Sequence, residues 1–448
     1  MPSFVAPPRW TRWKRVAVSL AVLVHTGLAQ SEPQESVLVG PLHRTTLIEL
    51  AIARSPSVRA MSQYARGVSI SSRAEGKQSP PEAMVSAWQI PLARPYAVND
   101  AAMVMVGLQQ RFAAPGSLAA REEGKQEEAR YEEAMGSVRA RQVARDADHA
   151  FADYEEATLR HRVHLAHLDI AKRIHAVAQA RHAGGGLLSD VTQAEVVVAQ
   201  TLAEVVTDGA RIQVARVRIN ALVARHPNAP LGPPVESEPA VPAWSLEAML
   251  AKSQQARPEF RAALASRAAK AVELRALDRE ASWPSFAIAG LYFAPTGPSP
   301  THGYGLNASM SLPWLWGPGA HRRDAQREYL ASAATNVDAT RIQIQADVAT
   351  SDANAKSAAL RVQVLRDRAH PAGKRSFDVA WAGYEAARGD LVTLLNSRKA
   401  VIDIEMDTVM ARSVLEHALA DLDAAVGTPV PRTPLGPFQE PDGVHDVR

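Results

Sequence analysis

Residues 191–219 read VTQAEVVVAQTLAEVVTDGARIQVARVRI, and residues 394–422 read LLNSRKAVIDIEMDTVMARSVLEHALADL. In the first stretch Val191, Val198, Val205, Ile212 and Ile219 recur at every seventh position. In the second, Leu394, Val401, Thr408, Leu415 and Leu422 do the same at an offset of 203. Side chains repeated every seventh residue keep to one side of a helix, which is the pattern of a coiled-coil seam. Only Thr408 breaks the apolar rule. Earlier landmarks repeat at the same offset, Pro81 with Pro284 and Pro115-Gly116 with Pro318-Gly319. The chain is thus built twice from one unit. A duplicated helical unit of this length predicts a symmetric assembly or conduit rather than a single catalytic pocket.

Working outward from the seam, no proline occurs between Gly116 and His226, an interval that holds two helices joined at Gly184-Gly185-Gly186. The first, from about Ser117 to His182, would be roughly 100 Å long at ~1.5 Å per residue and must find lateral partners along its whole length. Ala194 and Leu222 join the valine and isoleucine row in the narrow stripe of the second. The second copy predicts helices from about Ala320 to Ala387 and from Asp390 to Val426. Pro371, which has no counterpart in the first copy, should kink or split the former.

A β pair precedes each hairpin, with strands expected at about 82–91 and 102–112, and at about 284–293 and 303–313. Tyr304, Leu306, Ala308, Met310 and Leu312 alternate with Gly305, Asn307, Ser309 and Ser311. Likewise Val104, Val106, Leu108 and Phe112 share one face, with Gly107, Gln109 and Arg111 on the other. Such strands, flanked by Trp283, Tyr292, Trp314 and Trp316, fit either a transmembrane barrel with interfacial aromatics or a soluble sheet packed on helices. The barrel reading demands an oligomer, because four strands cannot close a barrel of useful width. Residues 227–245 form a proline-rich linker and 428–448 a polar tail, neither expected to carry regular structure.

At the N-terminus, Arg9, Arg12, Lys14 and Arg15 precede the apolar run Val16 to Val24 and the small residues at Gly27-Leu28-Ala29. This predicts a signal peptide over residues 1–29, too short in its apolar part to span a bilayer of about 30 Å. Its removal takes away four positive charges and no negative one, so the formal charge falls from +3 to −1. The remaining basic residues alternate with Glu and Asp, which argues against nucleic-acid binding. The absence of cysteine excludes disulfides, thiolate metal sites, cysteine nucleophiles and a lipidated-cysteine anchor. No apolar run of about 18 residues is present in the mature part, so the remaining membrane-spanning option is a β-barrel.

The opening segments also repeat. Leu47-Ile48-Glu49-Leu50-Ala51 leads to Pro56-Ser57-Val58-Arg59-Ala60, and Leu246 leads to Pro258-Glu259-Phe260-Arg261-Ala262. Together with strands that end in Pro-Gly and hairpins turning at Gly184 to Asp190-Val191 and at Tyr384 to Leu391, this order resembles the TolC-like outer-membrane efflux proteins, including the branch that serves heavy-metal exporters. The resemblance spans nearly the whole mature chain. It implies a mainly α fold with a small β part, and a homotrimer in which four strands per chain build a twelve-stranded outer-membrane barrel. The long helices would form a periplasmic tunnel. The implied function is passive export of small molecules or metal ions delivered by an inner-membrane pump and a periplasmic adaptor. No cofactor is implied.

By the same resemblance the tunnel narrows where the hairpin turns meet. Asp190 falls on the family's aspartate in the first turn and Tyr384 on its tyrosine before the second, with Arg388 one position from where an arginine is expected. An Asp190 contact to Tyr384 or Arg388 would be charge-assisted and strong in a confined site. Asp190 also has a simpler reading as the N-cap of the helix it opens. Where the family often carries an acidic ring this chain has Thr393 and Asn396, which leaves Asp390 as the nearby acid. His161, His164 and His167, with His149, His175 and His182 on the same helix, are the candidate metal ligands. A helix turns by about 60° per three-residue step, so three such side chains seldom converge.

No phosphate loop or nucleophile elbow is present, and an enzymatic function is not expected. Two alternatives stand beside the channel. One is a periplasmic coiled-coil adaptor or scaffold without a pore, which usually pairs a lipoyl-like β domain with a single hairpin. The other is a helical-bundle enzyme with metal at His161, His164 and His167.

Overall fold

The computed structural model describes residues 38–97, 101–295 and 301–439. The expected signal peptide lies outside the described residues. In chain order the elements are α1 Arg44–Arg54, α2 Pro56–Glu75, β1 Glu82–Trp88, β2 Met103–Phe112, α3 Ser117–Ala183 and α4 Leu188–Leu222. They continue with β3 Ala240–Pro242, α5 Leu246–Ala256, α6 Pro258–Ser282, β4 Phe286–Pro295 and β5 Gly303–Met310. The last are α7 Gly319–Val364, α8 His370–Glu385, α9 Leu391–Val426 and β6 Arg432–Pro434.

The duplication is visible in how the elements start and in what they bury. The equivalent helices α2 and α6 each open on a proline in the first turn, Pro56 and Pro258. One core joins α1, α3 and α4 through Leu47, Phe151, Ala215 and Ile219. A second joins α5, α7 and α9 through Met249, Val348, Ala418 and Leu422. Leu47 and Met249, Ala215 and Ala418, and Ile219 and Leu422 are equivalent members of the two units. Helix α3 has 67 residues, roughly 100 Å at ~1.5 Å each. Near the sheet it packs against α2 and α6, and farther away against α4 and α9. At its start Gly116 adopts φ +73°, and a Cβ there would sit 1.7 Å from the Arg279 guanidinium. Glycine adopts this left-handed backbone without strain, whereas any other side chain would be strained and would displace the end of Arg279.

Two features depart from expectation. The proline-rich linker and the tail each carry a short strand, and the two pair: Ala240 opposite Pro434, Val241 opposite Thr433, Pro242 opposite Arg432. Pairing satisfies backbone groups that a free tail would leave to water. The expected break near Pro371 takes the form of a π-helical turn, Leu365–Ala369, between α7 and α8. The wider turn lies just ahead of the ring, where an α-helical carbonyl would lose its donor and clash.

The four main strands form one antiparallel sheet in the order β1-β2-β4-β5, so the two hairpins meet at β2 and β4. The register aligns Val85, Val106, Tyr292 and Tyr304 in one row across the sheet and Ala83, Leu108, Gly290 and Leu306 in the next. On that face Val85 is 72% exposed, Leu306 80% and Tyr304 92%. The opposite face carries Glu82, Ser86, Gln109, Arg111, Asn307 and Ser309 with a few apolar residues. Trp283, Trp314 and Trp316 are exposed beyond the helix-proximal end, and Trp88 and Tyr96 toward the hairpin loops. No helix among the described residues is long and apolar enough to cross a membrane.

Candidate functional site

At the end of the molecule far from the sheet, the two hairpin turns lie side by side. The first is closed by Gly186 N–H donating to the Arg181 carbonyl at 2.9 Å. The second is closed by the Arg388 and Gly389 N–H groups, both donating to the Gly383 carbonyl at 2.9 Å. Ala387 supplies the left-handed residue there, at φ +58°. A small core of Ile174, Ala178, Ala194, Tyr384, Leu391 and Leu394 joins the two turns.

Tyr384 is completely buried in that core. The Arg181 guanidinium lies 4.3 Å from its ring centroid and donates to the carbonyls of Tyr384, at 3.3 Å, and Gly389, at 3.4 Å. One arginine thereby holds the end of α3 to the whole second turn. Burial pushes the Tyr384 phenol above its ordinary value, the negative charge of Asp190 adds to this, and Arg181 pulls the other way. The Oη atom of Tyr384 has no hydrogen-bond partner among the described residues. Asp190 stands in the first turn of α4, where its N–H donates to the Leu187 carbonyl at 3.2 Å. Leu187, not Asp190, occupies the cap position. Asp190 therefore acts on Tyr384 through its charge, without the expected direct bond. An open cleft of about 660 Å³ runs along Arg181, Ser189, Asp190, Gly389 and Asp390.

The other expected tip residues have different surroundings. Arg388 is exposed, and its side chain forms no ion pair among the described residues. Asp390 caps α9, accepting from the Thr393 N–H and hydroxyl at 2.8 Å each, and the backbone bond holds its carboxyl below the usual range. Arg181 was not anticipated. Its signal is in the repeat, because the 203-residue offset places Arg181 on Tyr384 itself.

The histidines of α3 separate instead of converging. His164 pairs with Asp208 of α4 at 2.5 Å, and His167 with Glu405 of α9 at 2.9 Å. His370 of α8 reaches the other oxygen of Glu405 at 3.2 Å. Burial alone would raise Glu405, but the two imidazole partners outweigh it and hold the carboxyl low. No group of three His, Asp or Glu among the described residues is arranged to hold a metal ion. The same layer contains Arg398, buried without a carboxylate, which donates to the His167 carbonyl at 3.1 Å and the Thr201 hydroxyl at 2.9 Å. Burial brings its pKa down to about 10.

No protein-family model and no curated protein matches the sequence. The fold nevertheless has clear counterparts among solved structures. The outer membrane protein VceC from Vibrio cholerae superposes with a TM-score of 0.70 at 17% identity, covering 86% of this chain and 96% of that one. CusC, described for its transmembrane channel formation, gives 0.73 at 14% identity over 90% and 96%. The open state of the MtrE outer membrane channel from Neisseria gonorrhoeae gives 0.69 at 19% identity over 86% and 89%. At such identities the likeness establishes the shared fold along nearly the full length of each chain.

Proposed function

We propose that this protein is the outer-membrane channel of a tripartite efflux system. Three copies close a twelve-stranded barrel in the outer membrane and a helical tunnel in the periplasm. An inner-membrane pump and a periplasmic adaptor deliver small molecules or metal ions, which leave without chemistry. The protein is not an enzyme and needs no cofactor. Selectivity for cargo then belongs mainly to the pump.

The observation that carries this reading is the four-stranded sheet. It offers one continuous apolar face to the outside, a mixed polar face behind it, and the outer edges of β1 and β5 to further strands. An exposed apolar face with two open edges is an aggregation hazard in water. Both problems vanish when three sheets close into a barrel in lipid. A soluble adaptor would gain nothing from such a sheet. At the far end, Tyr384, Arg181 and Asp190 form the closed aperture, with Arg388 and Asp390 at its rim.

Arginine substitutions on the two faces test the reading. Leu108→Arg, on the apolar face at mid-strand, should lose assembled trimer from the outer-membrane fraction, at a cost of about 2–4 kcal/mol per site in lipid. Gln109→Arg, one residue along and facing inward, should assemble normally. Equal behaviour of the two, or a soluble monomeric wild type, would sink the proposal.

A further inference from the structure

The π-helical turn Leu365–Ala369 has no buried residue. Above it, α7 is anchored in a core through Val348, Ala355, Ala359 and Val362. Below it, α8 buries only Tyr384, at its far end, whereas its partner α9 is buried along its whole length. The equivalent helix of the first unit, α3, runs unbroken past this level. The second hairpin therefore has a helix that is packed mainly at its tip end, through Phe377, Ala380, Trp381 and Tyr384, and is connected through a wide, irregular turn, and the first has none.

The chain after β6 lies across that turn. Leu435 is buried in the core against which Leu365 also packs. Arg366 donates to the carbonyls of Leu435, at 3.4 Å, and Gly436, at 2.6 Å, and Gln363 also donates to Gly436, at 3.1 Å. Asp367 accepts the Phe438 N–H at 2.7 Å, while its oxygens hold the Arg366 guanidinium at 2.7 and 3.0 Å. The Arg368 guanidinium lies 5.7 Å from the Phe438 ring centroid. Three consecutive turn residues, with Gln363 before them, are thus held by three tail residues, Leu435, Gly436 and Phe438. On the inner side, His370 and Glu405 fix the first residue of α8 to α9.

We infer that residues 435–438 are a strap across a hinge. They hold the π-helical turn in its present form and so keep α8 against α9 in the closed tip, and their release frees α8 to pivot about His370. The hinge is a property of the fold; its consequence for the aperture rests on the channel reading above. A strap built from side-chain contacts to tail carbonyls and one tail N–H is released without unfolding either core, because Leu435 and the β3–β6 pair stay in place.

Two variants of the assembled full-length protein test this: a chain ending after Leu435, and Asp367→Ala in the intact chain. Hydrogen exchange should speed up by roughly tenfold or more at the amides of residues 365–372, with exchange in the α9 core unchanged. Single-channel conductance should rise in both variants. Unchanged exchange over 365–372 in Asp367→Ala would overturn the strap, and so would exchange that rises equally in the α9 core. A wild type that gives no conductance refutes the channel reading alone, since the exchange result judges the strap independently.

Discussion

A buried tyrosine with a guanidinium on its ring and a carboxylate nearby concentrates most of the charge chemistry at the tip of the molecule. Arg181 supplies the only donors to the Tyr384 and Gly389 carbonyls among the described residues of the opposite turn, so its loss should cost about 1–3 kcal/mol of tip closure. Arg181→Ala and Asp190→Ala should both raise single-channel conductance, the first more strongly. Arg388→Ala, whose side chain makes no ion pair, should leave it unchanged. Equal conductance in all three would return Arg181 to an ordinary helix-end cation. The candidate site was only half legible in the sequence. Asp190 and Tyr384 stood out by resemblance, but Arg181 looks like any basic residue in a last helical turn. Its distinction is purely positional. Thr201 and Asp208 were hidden for a related reason, since polar residues at seven-residue spacing read as the wet side of a helix. In the folded chain they lie deeper than the valine row, because Arg398 and His164 meet them there.

Between elements, the contact of α3 with α9 is held largely by imidazole–carboxylate pairs. His417 pairs with Asp153 at 2.9 Å, His149 with Asp421 at 3.0 Å, and the two rings stack 4.5 Å apart. The hydrogen bond to Asp153 raises His417, with burial opposing it. Burial alone would raise Asp153 and Asp421, but their imidazole and arginine partners leave both carboxyls low. A raised imidazole stabilises the fold fully below its unfolded value of about 6.5, and that contribution is lost as pH rises through the folded value. A depressed carboxyl stabilises above about 3.9, and its share is lost as pH falls through the folded value. Thermal stability should therefore peak between about pH 4 and 6.5 and decline toward pH 8. His417→Gln should remove much of that alkaline decline and cost roughly 1 kcal/mol at pH 6. Thermal melts of both proteins at pH 6 and 8 check this, and parallel slopes would exclude His417 as the source. The helices themselves were legible because seven-residue periodicity and proline-free runs leave few alternatives. Proline signals a defect but does not say which, so the break at Pro371 was foreseen without its π-helical form. The linker–tail pairing was not foreseen, since strands of three residues carry no periodicity.

At the scale of the whole molecule, the duplication sets the architecture. Each unit contributes a β hairpin to one sheet and a long helical hairpin to one bundle, and the two units meet at β2–β4 and at the tip core. Their differences are concentrated in the second hairpin, which among the described residues alone carries the π-helical turn, the tail strap and the tip tyrosine, Tyr384. A tube assembled from three such chains would have pseudo-sixfold walls with three movable staves, closed by Arg181, Asp190 and Tyr384. The measurement that bears most directly on this account is conductance. Detergent-purified protein, shown by mass to be a trimer, should insert into planar bilayers and give discrete current steps that are small in the wild type and larger in Arg181→Ala. A homogeneous trimer that inserts and never conducts, in either form, would contradict it.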